Sequence, residues 1–214
     1  KEKNRVLELQ VKKFEQGLTG ELFKKYFLLT EKKKKYSVKE FFLPFPRLDL
    51  RLGWAATENS RRAHYLEVIE DKVLVISGLG QTIYFNKKNL DTNMLNQQEI
   101  SNNIKKFLAS KNYELIGIRD LFYDDGYVYI SLQHKDKNGY TINVYRAEFN
   151  LENLMFEPFF TTNEYWESYN VFSGGRLELY ENNKILFSIG FSKKYEAPQN
   201  KKSFLGKIIS IDKS

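Results

Sequence analysis

The 214-residue chain contains no cysteine, 2 histidines, 4 prolines and 12 glycines. Without cysteine there is no disulfide framework and no thiolate-ligated zinc or iron–sulfur site. The histidines, His64 and His134, have no ligand-type spacing around them, so each reads as an ordinary loop residue. No apolar run approaches the ~18 residues of a membrane span. Nucleophile-elbow, P-loop and dinucleotide fingerprints are missing too, since Ser173-Gly174-Gly175 is too short to cradle a diphosphate and a strand should follow it. What is abundant is apolar and aromatic mass, 42% and 15% of residues, enough for a packed core and too much for wholesale disorder.

The net charge is +7, from 34 basic and 27 acidic residues. Much of the excess sits early, at Lys1, Lys3, Arg5, Lys12, Lys13, Lys24, Lys25 and the run Lys32 to Lys35. With no groove of stacking aromatics beside it, this basic stretch reads as a solvated helix face, and no nucleic-acid partner is expected. Attachment to an anionic membrane surface is the alternative role for the leader. The chain begins at Lys1 without Met, so an upstream segment such as a signal peptide or anchor is expected.

Val6, Leu7, Leu9, Val11 and Phe14 recur at helical spacing, and Leu22, Phe23, Tyr26, Phe27 and Leu29 resume it after Gly17 and Gly20, with Thr19 a candidate N-cap. Pro44 and Pro46 then impose an extended connector. This divides the chain into a basic amphipathic helical leader, residues 1–47, and a main body, residues 48–214.

The body changes to short alternating runs that repeat. Glu70-Asp71-Lys72-Val73-Leu74-Val75-Ile76-Ser77, Asp124-Asp125-Gly126-Tyr127-Val128-Tyr129-Ile130-Ser131 and Glu181-Asn182-Asn183-Lys184-Ile185-Leu186-Phe187-Ser188 are each a polar turn followed by a β-rich run ending in Ser. That is a hairpin signature, and the serines fall about 55 residues apart. A further β-rich run follows each, at 82–86, 142–146 and 207–211, and the segment from Asn89 to Met94 is echoed from Asn150 to Met155. A period of this length with four strands per unit matches a propeller blade. The middle unit predicts strands near 117–123, 127–133, 140–149 and 154–160. The fold class expected is all-β: a partial β-propeller of about three four-stranded blades, at about 60–110, 114–162 and 170–214, behind a short N-terminal helical segment. A compact non-propeller sheet with helices on its open face is the alternative. The third unit stops after its third strand, which would leave an unpaired edge and an open face. The chain is therefore expected to be part of a longer protein, its open edge covered by remaining propeller blades or by a partner chain.

Among the acids, Asp124-Asp125-Gly126 reads as the hairpin turn itself, and neither it nor Asp120 forms a carboxylate pair across a cleft. Tyr165, Trp166 and Tyr169, in the link between the second and third units, either seal the space between blades or line a sugar-binding mouth.

Three segments of the last unit carry a family resemblance: Phe172-Ser173-Gly174-Gly175-Arg176-Leu177, Asn182 through Gly190, and Gly206-Lys207-Ile208-Ile209-Ser210-Ile211-Asp212. In the middle unit, Asp120-Leu121-Phe122-Tyr123, Tyr127 through Ser131 and Asn143-Val144-Tyr145-Arg146 add to it. Over residues 114–212, more weakly over 60–113, the chain resembles the soluble glucose/sorbosone dehydrogenases, sugar oxidoreductases that use pyrroloquinoline quinone (PQQ) with Ca²⁺. The resemblance implies a six-bladed propeller, a sugar or other small polar molecule as ligand, and a periplasmic or extracellular location, with a membrane anchor through the segment before Lys1. It makes Gly174, Gly175 and Arg176 the candidate cofactor-binding residues. A structural role for the glycines, permitting close strand approach, is the alternative. The family's catalytic His stands two residues before the glycine pair, where this chain has Phe172, and its Asp after Ile-Gly is here Phe191. Phenylalanine accepts no proton, so the expected general base is missing. The basic residues that hold the quinone carboxylates in that family lie in later blades. The competing expectation is a non-catalytic propeller serving as a protein-interaction or carbohydrate-binding module.

Overall fold

The computed structural model of the chain describes residues 28–29, 38–39, 63–91, 96–167, 173–191 and 196–214. The expected leader helices, apart from Leu29, lie outside these residues, as do the proline connector, Phe172 and Tyr169. The chain divides into two compact units, residues 1–46 with 88–95 and residues 47–87 with 96–214. In the first, β1 (Leu28–Leu29) pairs antiparallel with β2 (Val38–Lys39). Leu29 thus lies in a strand where its periodicity suggests a helix, because backbone pairing with β2 outweighs local spacing.

Among the described residues the second unit holds three sheets, none of them closed. The first holds β3 (His64–Ile69), β4 (Lys72–Ser77), β5 (Thr82–Asn86) and β6 (Gln98–Asn102) as an antiparallel meander. The second is β7 (Glu114–Asp124), β8 (Tyr127–Asp136), β9 (Gly139–Glu148) and β11 (Glu157–Thr161), and the third β12 (Gly174–Tyr180), β13 (Lys184–Ile189) and β14 (Lys207–Asp212). Between β9 and β11 the short β10 (Asn153–Leu154) leaves the second sheet and pairs parallel with β6. The expected strand near 154–160 is therefore two elements serving two sheets. The split is held at Asn103, whose side chain accepts the Phe156 N–H at 2.8 Å and donates to its carbonyl at 3.0 Å. The echoed segments accordingly differ in structure, since Asn89 lies in a 3₁₀ turn (Lys87–Asp91) and its counterpart Asn150 precedes β10.

Each sheet contains a hairpin at the position its turn residues specify. A left-handed residue opens all three turns: Glu70 (φ 54°), Asp125 (φ 48°) and Glu181 (φ 57°). At Asp125-Gly126 both residues have positive φ, the conformation a two-residue hairpin needs to match strand twist. The helix α1 (Ile104–Ser110) is an addition to the all-β pattern. Its sequence signal is short, Ile104 followed by Phe107 and Leu108, and Asn103 does not cap it because its side chain is spent on Phe156. Asn102 accepts the Ile104 N–H instead, at 3.2 Å.

Two cores separate the sheets. One joins Leu74 and Ile76 of the first sheet to Ile118, Ile130 and Leu132 of the second, with Ile104 and Leu108 of α1. The other joins Tyr129, Ile142 and Val144 of the second sheet to Leu177, Ile185 and Phe187 of the third. The second sheet is therefore buried on both faces, and β8 is buried continuously from Val128 to His134. On β13 burial alternates, the pattern of a sheet with one covered face.

Candidate functional site

β3, β7 and β12 are each the end strand of their sheet, and β7 packs against both of the others. The candidate residues Gly174, Gly175 and Arg176 lie at the start of β12, beside β7. Gly175 has φ 116°, and a Cβ there would stand 2.4 Å from the Cβ of Arg119 and 3.1 Å from Ser131 Oγ. Gly174, with φ 73°, would press its Cβ to 2.7 Å from Ser188 O and Gly190 N. Protein atoms, not open space, fill both positions. The Ser131 hydroxyl donates to the Gly175 carbonyl at 2.5 Å, and Gly190 N–H donates to Ser173 O at 2.8 Å.

Arg176 is fixed by what surrounds its backbone. Its N–H donates to Ser188 Oγ at 2.9 Å, and the next N–H, that of Leu177, donates to Asp120 Oδ2 at 2.7 Å. The guanidinium then folds over the same carboxylate, Nη1 to Asp120 Oδ1 at 3.4 Å, with Nη2 3.6 Å from Glu178 Oε2. The Asp120 side chain is 4% exposed and that of Arg176 is 71% exposed. Burial pushes the Asp120 carboxyl up, and the Leu177 N–H and Arg176 pull partly against it. Glu67 on β3 is raised as well, by burial first and then by repulsion from Asp120. Tyr65, also on β3, is raised by burial, with Arg119 opposing. Arg119 itself hydrogen-bonds to the Gln133 side chain. The arrangement is an ionic seam across the end strands of all three sheets, with Asp120 at its centre.

No sequence signal marks this seam, because Asp120 stands in the chain as one of several acids near a turn. The other candidates separate from it. Asp125 forms the hairpin turn, and Asp124 flanks it and pairs with Lys213 at 2.5 Å, tying the chain beyond β14 to β7. Trp166 is 2% exposed in the second core and Tyr165 is half-buried, so Trp166 seals the space between sheets. His64 begins β3 and His134 lies within β8; both are strand residues and not loop residues, and His134 is buried. Phe191 is exposed just past β13. Among the described residues no group of three or more His, Asp or Glu side chains is placed to hold a metal ion, and no helix is long and apolar enough to cross a membrane.

A family model described as glucose/sorbosone dehydrogenase matches residues 82–214. Two solved structures share the fold: a "glucose dehydrogenase" with a TM-score of 0.55 and a "Crystal structure of glucose dehydrogenase" with 0.54, each 13% identical in sequence. The matches cover 72% of this chain and 48% and 45% of those chains. The chain thus spans about half the length of the solved structures it matches. A comparison with curated proteins returns no match. The family match runs over more than half of the residues, through β5, β6 and the second and third sheets with Asp120 and Arg176, and the chain belongs to the glucose/sorbosone dehydrogenase family.

Proposed function

We propose that this chain is a three-blade portion of a six-bladed sugar-dehydrogenase-type propeller, acting outside the cytoplasm on a sugar or related small polar molecule, and that its own residues supply scaffold and not the oxidising chemistry. In this reading the three sheets of the second unit are consecutive blades, and the outer face of β12–β14 receives the next blade of a longer protein.

The observation that carries the reading is the engagement of Arg176 by Asp120. A planar, anionic quinone needs cationic donors and a flat slot left bare by glycine. Here both glycine positions are filled by neighbouring protein, and the guanidinium between them and Leu177 is held by two carboxylates, Asp120 and Glu178. The Gly174–Arg176 element does not fit PQQ, and no step through the quinone is assigned to it. The sequence supports the same conclusion, since Phe172 stands where the family has its proton-accepting His.

The test is reconstitution of the chain with PQQ and Ca²⁺, with quinone binding followed by absorbance and aldose-dependent dye reduction followed separately. Neither saturable quinone binding nor sugar-dependent turnover is expected. Saturable turnover that requires the quinone would overturn the reading.

A further inference from the structure

His134 lies near the end of β8 with 1% exposure, and its surroundings set the state of its ring atom by atom. On β9, Asn143 Oδ1 accepts the Thr162 N–H at 3.0 Å. The Asn143 amide nitrogen is therefore the group that faces His134 Nε2, at 3.0 Å. A carboxamide nitrogen only donates, so Nε2 accepts and the ring proton sits on Nδ1. That Nδ1 is buried without a hydrogen-bond partner. Tyr113 stacks on the ring at 4.3 Å and 11°. Burial holds the imidazole down to about 4, with Asp136 on the same strand acting the other way. The neighbouring groups offer the cation little else. Tyr145 is a phenol that burial pushes up to about 12, with a hydrogen bond to the Asn143 side chain acting the other way, and Phe107 of α1 packs edge-on against it. Lys105 and Lys106 of α1 are exposed, and the Lys135 ammonium lies over the Tyr140 ring.

We infer that His134 and Asn143 form a proton-operated latch at the end of the second sheet, which unties Thr162 when the ring takes up a proton. In the imidazolium both ring nitrogens donate, so Nε2–H would face the Asn143 amide donor. Turning the amide over brings Oδ1 to Nε2–H and removes it from the Thr162 N–H. The Tyr145 hydroxyl, hydrogen-bonded to the Asn143 side chain, can donate to Oδ1 in the turned state, so one proton exchanges one hydrogen bond for another, and the bond lost is the one that fixes the chain just beyond β11. Thr162 is 2% exposed and its hydroxyl pairs with that of Thr141 at 2.9 Å, so loss of the Asn143 bond weakens the local structure that shields this amide from exchange. The latch lies apart from the Asp120 seam and does not depend on the proposed function.

The test is nuclear magnetic resonance on the ¹⁵N-labelled full chain between pH 7 and pH 3. It follows the His134 ring nitrogens and the exchange protection factor of the Thr162 amide, with the Leu177 amide, bonded to Asp120, as reference. The Nδ1–H tautomer is expected at pH 7, and Thr162 protection should fall about tenfold as the ring titrates while Leu177 holds, the scale of one net hydrogen bond. His134→Gln should make Thr162 protection independent of pH. Asn143→Asp presents an acceptor to both partners, so its ring should titrate at higher pH with Thr162 protected throughout; this variant carries the test should His134→Gln fail to fold. An Nε2–H tautomer at pH 7, unchanged Thr162 protection across the ring titration, or simultaneous loss of Thr162 and Leu177 protection would each overturn the latch.

Discussion

The second and third sheets share the family match but differ in what covers them. In the second, β8 and β9 bury both faces: Ile130 and Val144 are each 0% exposed although one belongs to each core. In the third, Phe187 is 0% exposed and Ile208, on the opposite face, is 72% exposed. Leu186 and Ser188 of β13 share that outer face, opposite Ser210 and Ile208 of β14. A strand sequence of similar apolar content therefore has two energetic meanings. Where both faces meet a neighbour, every position contributes burial at ~25 cal/mol per Å² of apolar surface; where one face is open, half of them contribute little.

The largest effect that would break this contrast comes from truncation inside the cores. Phe187→Ala is expected to destabilise by about 3–5 kcal/mol and Ile130→Ala by about 2–5 kcal/mol, measured by chemical denaturation. Comparable losses at Phe187 and at a middle-sheet position show that the inner face of the third sheet is as tightly packed as the second sheet; a loss below ~1 kcal/mol at Phe187 would contradict the second core.

Next is the close approach of β12 to β7. Gly175→Ala combines a positive φ with a Cβ placed 2.4 Å from the Arg119 Cβ, and Arg119 cannot withdraw without moving β7. A cost on the order of 3 kcal/mol is expected, from strain and overpacking together. Gly126→Ala tests φ alone, since nothing lies within 4 Å of its Cβ, and should cost about 1–2 kcal/mol. Equal costs at the two glycines would refute the steric account.

Smaller is Asp120. Replacing it with Ala strands the buried Leu177 N–H, at about 1–3 kcal/mol. Asp120→Asn keeps an acceptor for that N–H and should recover much of the loss, while changing the pH dependence. Because burial raises the Asp120 carboxyl in the folded chain, the folded state binds its proton more tightly than the unfolded state. Stability in the native chain should therefore fall as pH rises from the ordinary carboxylate value through the raised one, and Asp120→Asn should flatten that slope in pH-resolved denaturation. A slope of opposite sign would mean that Arg176 and the Leu177 N–H outweigh burial.

The smallest effect sharpens the comparison from the open side. Ile208→Ser is expected to change stability by less than about 0.5 kcal/mol in the isolated chain. A cost above ~2 kcal/mol would mean that Ile208 is buried in the isolated chain and that the outer face is not open.

Hairpins are legible in the residues because the code for them is local. Asp125-Gly126 needs positive φ at both positions, and Gly and Asp tolerate it, so the residue types alone place the turn. The run read from Lys184 to Ser188 likewise falls within β13, which continues one residue further to Ile189. What stays hidden depends on neighbours distant in sequence. The run 154–160 reads as one strand, yet Asn103 divides it by bonding both backbone groups of Phe156. His134 reads as the start of a polar loop, yet β8 extends through Asp136 because Tyr140 pairs with Lys135 and Gly139 with Asp136. At the candidate site the glycine pair and Arg176 are legible as a motif. That Arg176 is held by Asp120, 56 residues earlier, is not.

Composition and turn chemistry determined by themselves that the described part of the main body is mostly β, that its polar turns make hairpins, and that cysteine chemistry has no place in it. Each rests on residue types or on angles confined to a few neighbouring residues. Tertiary structure alone decided which faces are covered, that protein atoms fill the space beside Gly174 and Gly175, that Asp120 and not a turn aspartate lies at the centre of the ionic seam, and that His134 is buried against Asn143. Those outcomes are set by burial and by hydrogen bonds between different strands and sheets, and no local rule encodes the distance between such residues.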